Sequence, residues 1–167
     1  MSRVAILGTW KTIQDDIAED VGRYTRQVIQ RGDRLYTGAS PGAEHAAIAE
    51  ALKWDNRAEN IEVILPCPLE AYKSHILKSA LNYVISKDEA DRLVKLLYNL
   101  QIKNRRSLRF MKAPAVDQES LMARNLAVTD YVDEIIAFQI NDSADMEICA
   151  LRARKREIRV KLLQYYR

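Results

Sequence analysis

Arg34-Leu35-Tyr36-Thr37-Gly38-Ala39-Ser40-Pro41-Gly42-Ala43-Glu44-His45-Ala46-Ala47-Ile48-Ala49-Glu50-Ala51-Leu52 carries the pattern that decides the fold. Arg34 to Thr37 suits a short buried strand. Gly38 to Gly42 makes a sharp loop with two glycines, and Ala43 begins a helix with a face of very small residues. A strand that turns through glycines into such a helix is how open α/β sheets form an anion site. Glycine lets backbone come close to a ligand, and the helix start offers unpaired N–H groups with partial positive charge. An ordinary tight strand-to-helix turn is the alternative reading of the stretch on its own.

The segments on either side extend the alternation. Val4-Ala5-Ile6-Leu7 is a continuous apolar run, as in a strand covered on both faces. Gly8-Thr9-Trp10 ends it. From Thr12, Ile13, Ile17, Val21, Tyr24 and Val28 recur at helical spacing, with Asp15, Asp16, Glu19 and Asp20 crowding the first turns. Ile61-Glu62-Val63-Ile64-Leu65 makes a third strand, stopped by Pro66. Strand, helix, strand, helix, strand within 65 residues implies right-handed crossovers and a parallel sheet.

Beyond Pro66 the rhythm breaks. Leu69–Ser79 and Lys87–Lys103 are expected helices, and no strand is expected between residues 66 and 133. A mostly helical insert is therefore placed at about 68–116 between the third and fourth strands, with a mobile basic exit at Asn104–Lys112. A helix from Gln118 to Thr129 leads to a fourth strand, Glu134–Phe138. Asn141-Asp142-Ser143 caps a helix ending near Lys155, and Glu157–Val160 forms a short charged fifth strand at a sheet edge. The apolar tail Leu162-Leu163-Gln164-Tyr165-Tyr166 is expected to dock on the domain or on a second subunit.

Composition bounds the function. At 167 residues, 48% of them hydrophobic, the chain suits one domain, 1–167, with a sizeable core. No run approaches the ~20 apolar residues of a membrane span, so no membrane association is expected. Met1–Leu7 is too short for a signal-peptide core, and Cys67 and Cys149 read as free buried thiols; a cytoplasmic protein is expected. His45 and His75 are too few and too far apart for a metal site.

The net charge of +3 is uneven, −1 over residues 1–101 and +4 over the rest. Two basic clusters, Lys103–Lys112 and Arg152–Lys161, suit either solvated surface or nucleic-acid phosphates. Only Phe110 falls within them, fewer aromatic residues than a stacking platform requires.

In a parallel sheet ligands bind beyond the carboxyl ends of the strands. The residues placed there are Gly8, Thr9 and Trp10, then Thr37, Gly38, Ala39, Ser40, Gly42 and His45, then Pro66, and after the fourth strand Ser143. That set is rich in backbone N–H and hydroxyl groups and poor in catalytic side chains, so it points to a phosphate or nucleotide pocket. No lysine follows Gly42, which sets the loop apart from the Gly-Lys-Ser/Thr phosphate loop. The Gly38-x-x-x-Gly42 spacing is not the dinucleotide fingerprint.

Gly8-Thr9-Trp10, Thr37-Gly38-Ala39, Leu65-Pro66, Tyr72 with His75, Arg124-Asn125 and Ala137-Phe138-Gln139, in that order, resemble a Rossmann-like superfamily. It includes lysine-decarboxylase-like proteins, molybdenum-cofactor carrier-like proteins and DNA-processing protein A (SLOG-type), and the likeness is greatest to small prokaryotic members. The resemblance implies an open parallel sheet of about five strands with helices on both faces. It also implies a nucleotide-derived ligand and homo-oligomers. Cytokinin-activating phosphoribohydrolases of this superfamily use an arginine and a glutamate, which fall here at Arg124 and Glu147. That implies an N-glycosidic hydrolase or transferase acting on nucleoside monophosphates. Their Pro-Gly-Gly-x-Gly-Thr loop is replaced by Gln139, Ile140, Asn141, Ser143 and Ala144. The leading expectation is a binding protein for a nucleotide-derived ligand, with no cofactor identified. N-glycosidic catalysis and single-stranded DNA binding are the alternatives.

Overall fold

The computed structural model describes residues 1–167 and places six strands in one all-parallel open sheet, Rossmann-like in architecture. The elements in chain order begin with β1 (Arg3–Gly8), α1 (Asp15–Gln30), β2 (Arg34–Thr37), α2 (Ala43–Trp54), β3 (Ile61–Leu65) and α3 (Leu69–Leu81). They continue with α4 (Lys87–Lys103), β4 (Leu108–Phe110), α5 (Gln118–Tyr131), β5 (Glu134–Ile140), α6 (Ala144–Lys155) and β6 (Arg159–Tyr165). The strand order across the sheet is β4-β3-β2-β1-β5-β6. The chain winds outward from β1 to β4, then crosses back through α5 to β5 on the other side of β1. The winding direction therefore reverses between β1 and β5.

Strand periodicity divides the core into two layers. Val4 and Ile6 of β1 face a cluster with α1, α2, α3 and α4, while Ala5 and Leu7 face a second cluster with α5 and α6. Neighbouring strands repeat this alternation, Leu35 on the first face and Tyr36 on the second, Val63 and then Ile64. Both faces are covered, and the central strands read as unbroken apolar runs for that reason.

Three expectations are corrected. The sheet has six strands, not five, and a strand does lie between residues 66 and 133. β4 is three residues long, pairs Val63 with Leu108 and Leu65 with Phe110, and buries only Leu108. Three residues are too few to show a period of two, and Arg109 in their middle disguises them by pairing with Glu62. The basic exit of the insert is accordingly not a loop throughout: a 3-10 turn at Arg105–Ser107 leads into β4. Asn104 Nδ2 and Ser107 Oγ both donate to the Ala58 carbonyl, at 3.0 and 2.6 Å, and fix it.

The edge strand also shifts. β6 spans Arg159–Tyr165 and absorbs most of the apolar tail, pairing along β5 from Glu134↔Arg159 to Ile140↔Tyr165. Tyr165 stacks on Phe138, with ring centroids 6.3 Å apart, and donates to Asp20 Oδ2 at 2.7 Å. The apolar residues of this segment face inward because they belong to a strand. No helix is long and apolar enough to cross a membrane.

Candidate functional site

The quoted loop is closed. From Thr37 to Glu44 every residue is buried. Its glycines make room for the chain's own groups. A Cβ on Gly38 would lie 1.6 Å from Arg124 Nη1, and one on Gly42, at φ +93°, would lie 1.9 Å from the Lys11 carbonyl oxygen. A Cβ on Gly8 would meet that of Ala43 at 2.5 Å, which accounts for the small residues opening α2.

An internal anion fills the loop. Glu44, in the first turn of α2, is fully buried; its Oε2 accepts from Ser40 N at 2.8 Å and its Oε1 from Gly8 N at 3.4 Å. Arg124 is 1% exposed and reaches Glu44 from α5, on the opposite face of the sheet, with Nη2 3.3 Å from Oε2. Its guanidinium also donates to Ser40 Oγ at 3.2 Å, Asn125 Oδ1 at 2.9 Å and the Ile64 carbonyl at 3.5 Å. Taking two charges out of water costs several kcal/mol per ion, and this pair offsets it only because its remaining donors and acceptors are met. Tyr72 closes the cluster, donating to the Ala39 carbonyl at 2.6 Å, and burial pushes its phenol well above the usual range.

A second carboxylate takes another amide of the loop. Glu89 of α4 accepts from Gly42 N at 3.0 Å and from Thr12 Oγ1 at 2.6 Å, with His45 Nδ1 3.8 Å away. His45, with Thr12 and Gly42, holds the Glu89 carboxyl below the usual carboxylate range despite burial.

The other residues expected at the strand ends divide into ties and walls. Thr9 ties the loop after β1 to β5, its N–H donating to the Phe138 carbonyl and its Oγ1 accepting from Ile140 N. The carbonyl of Pro66 accepts from Ala113 N, and that of Ser143 from Gln139 Nε2. In the loop after β5, Asn141 (φ 53°) and Asp142 (φ 56°) take the left-handed conformation that the resemblance leaves to glycine. Short polar side chains tolerate that region best after glycine. Both are engaged by the carboxyl terminus, Asn141 by Arg167 and Asp142 by Tyr166.

Arg124 and Glu147 are not brought together. Glu147 is exposed, whereas every partner of Arg124 is buried beside Gly38. In the second basic cluster, Arg152 and Arg156 both pair with Asp130, and Arg159 pairs with Glu134. Asp130 and Glu134 thus offset part of the charge of that surface. No three metal-ligating side chains come together.

An open crevice of about 530 Å³ lies beyond the carboxyl ends of the strands. Trp10 follows β1, His75 and Lys78 come from α3, Asn82 follows it, and Asp117 and Asp145 open α5 and α6. The Trp10 indole meets the His75 ring edge-on, with centroids 6.1 Å apart, and its Nε1–H is buried without a partner. Burial, and then Lys78, lowers the His75 pKa and favours the neutral imidazole. A groove of about 460 Å³ along Cys67, Pro68 and Ala113 shares His75 and Lys78 with the crevice and extends it. Asp117 caps α5, accepting from Ser120 N at 2.8 Å. Acidic side chains thus stand at the starts of α2, α5 and α6, where a free anion would otherwise be favoured.

Residue patterns in the sequence do not single out Glu44, Glu89, Lys78 or Asp117. One signal for Glu44 was available. An acidic residue two positions after the last glycine of an anion loop stands where a ligand's charge is expected.

No protein-family model matches the chain. No curated protein sequence matches it either. Among solved structures it is similar to DNA processing protein A from Helicobacter pylori, described for its single-stranded DNA binding mode. The TM-score is 0.65 at 16% identity, over 96% of this chain and 64% of that one. It is similar to the molybdenum cofactor binding protein from the phototrophic bacterium Rippkaea orientalis, with TM-score 0.59 at 17% identity, over 98% and 77% of the two chains. DNA processing protein A from Streptococcus pneumoniae gives 0.51 at 12% identity, over 96% of this chain and 58% of that one. The chain thus spans less than two thirds of the length of either DNA processing protein A. At these identities the likeness is one of fold, and it agrees with the resemblance seen in the motifs.

Proposed function

We propose that the protein binds a nucleotide-derived ligand in the crevice beside Trp10, gripping its heterocycle rather than its phosphate. The observation that carries this is the crevice itself. It lies beyond the carboxyl ends of the strands, where open α/β sheets take ligands, and its volume of about 530 Å³ suits a small molecule. Trp10, on its wall, carries an unpartnered Nε1–H, buried in this structure, that a turn of the indole would offer to an acceptor. The lining suits an uncharged planar group: Trp10 to pack against, Asp117 and Asp145 to accept from ring N–H or amino groups, Asn82 to do either. Lys78 is the one cation among the lining residues when His75 is neutral. The fold neighbours, one described as binding single-stranded DNA and one as binding the molybdenum cofactor, support a ligand with a stacked heterocycle.

Trp10 and Trp54 are the two tryptophans of the chain, so Trp54→Phe leaves Trp10 as the sole indole reporter. Titrating this variant with nucleosides, nucleoside monophosphates, ADP-ribose and the molybdenum cofactor should give saturable quenching with at least one of them. The same ligand should raise the melting temperature. Unchanged fluorescence and melting across the panel at millimolar concentrations would overturn the proposal.

A further inference from the structure

The donors around Glu44 form a complete oxyanion receptor. Gly8 N, Ser40 N and the Arg124 guanidinium come from three separate parts of the chain, the end of β1, the loop after β2, and α5. They converge on two carboxylate oxygens. Two amides and an arginine fork are the donor set that recognises carboxylate or phosphate. Gly38 belongs to the same device, since only a residue without Cβ lets the guanidinium lie against this backbone. The Arg124 side chain is 1% exposed and that of Glu44 is fully buried, so the receptor does not trade its occupant for water.

We infer that Glu44 is an internal counter-ligand, whose carboxylate fills an oxyanion site made by Gly8, Ser40 and Arg124 and excludes phosphorylated ligands from the glycine loop. With Glu44 in place, an incoming phosphate meets a like charge within a few ångströms, and the donors it needs are already engaged. A further amide of the loop, Gly42 N, is held by Glu89. Glu44 therefore sets specificity by occupancy. The inference does not require that the crevice beside Trp10 bind anything.

The test is chemical rescue. Glu44→Ala removes the carboxylate and leaves Arg124 buried and unpaired, so this variant should melt well below the wild type in sodium chloride. Sodium formate at equal ionic strength should then raise its melting temperature saturably by several degrees, as binding linkage requires for a ligand well above its dissociation constant. Inorganic phosphate is the second probe. The wild type should respond to neither anion more than to chloride, and adding Arg124→Met to Glu44→Ala should abolish the rescue. A folded Glu44→Ala variant that formate and phosphate leave unmoved would overturn the inference, as would a wild type stabilised as strongly as the variant. Where Glu44→Ala does not fold in chloride, refolding from urea in formate and in chloride is compared. Native circular dichroism regained in formate alone supports the internal counter-ligand, and recovery in both or in neither contradicts it.

Discussion

Gly38 admits no side chain. Its missing Cβ is the space through which Arg124 reaches Glu44, so Gly38→Ala must displace a buried guanidinium or bend the backbone. A loss of about 3 kcal/mol or more in urea unfolding is expected, the scale of overpacking combined with a disturbed buried pair. A loss under about 1 kcal/mol would show that the guanidinium is not seated there. The pair itself is open to a double-mutant cycle. Arg124→Met alone strands a buried carboxylate and should cost about 3–5 kcal/mol. Arg124→Met with Glu44→Leu removes both charges and should cost less than the sum of the single changes by more than about 1 kcal/mol. Additive losses would deny the coupling. Residue types and spacing were enough to mark Gly8, Gly38 and Ser40 as parts of one anion-binding edge, while Arg124 was singled out only by the family resemblance, as the partner of Glu147. They could not say which anion fills it, because Glu44 reads as an ordinary first-turn acid until α5 is folded across the strand ends.

At the scale of elements, Glu89 adds a polar latch between α4 and the start of α2, accepting from Gly42 N beside His45. Its carboxyl has a folded-state pKa below the ordinary value of 4.5. A depressed carboxyl pKa contributes stability above the unfolded value, and that contribution is lost as pH falls through the folded one. Glu89→Gln should therefore be less stable than the wild type near neutral pH, and the gap should narrow once pH drops below about 4.5. A gap constant down to about pH 3 would show that the latch carries no charge-dependent stability. β6 makes a separate prediction. Tyr165 stacks on Phe138 and bonds Asp20, so Tyr165→Ala should lose about 2–3 kcal/mol in urea unfolding, as for a partly buried aromatic. A free tail would lose nothing.

Helices were the most legible elements, since α1 and α4 each repeat an apolar face over three or more turns. The strands at the two ends of the sheet were the least legible. β4 has three residues with a charge in the middle, and β6 alternates weakly because an edge strand is half exposed.

The whole molecule is organised by the reversal of winding between β1 and β5. Two apolar layers cover the sheet, and the strand ends hold two unlike sites. One is a sealed loop whose anion is the protein's own, and the other is an open crevice beside Trp10. The alternation of strands and helices in the first 65 residues was sufficient to locate that edge. Which of its loops stay open depends on side chains far apart in sequence, such as Glu44 and Arg124, separated by 80 residues, and no local pattern encodes that. A crevice that grips the heterocycle beside a loop closed to phosphate makes a combined claim, and matched ligands test it. The measurement is a titration of Trp10 fluorescence in Trp54→Phe with a nucleoside and with its 5′-monophosphate, for each base. For the base that binds, nucleoside and monophosphate should quench saturably with dissociation constants within about tenfold of each other, a difference of ~1.4 kcal/mol. Quenching by neither member of any pair, or binding that requires the phosphate and disappears in Arg124→Met, would contradict the account.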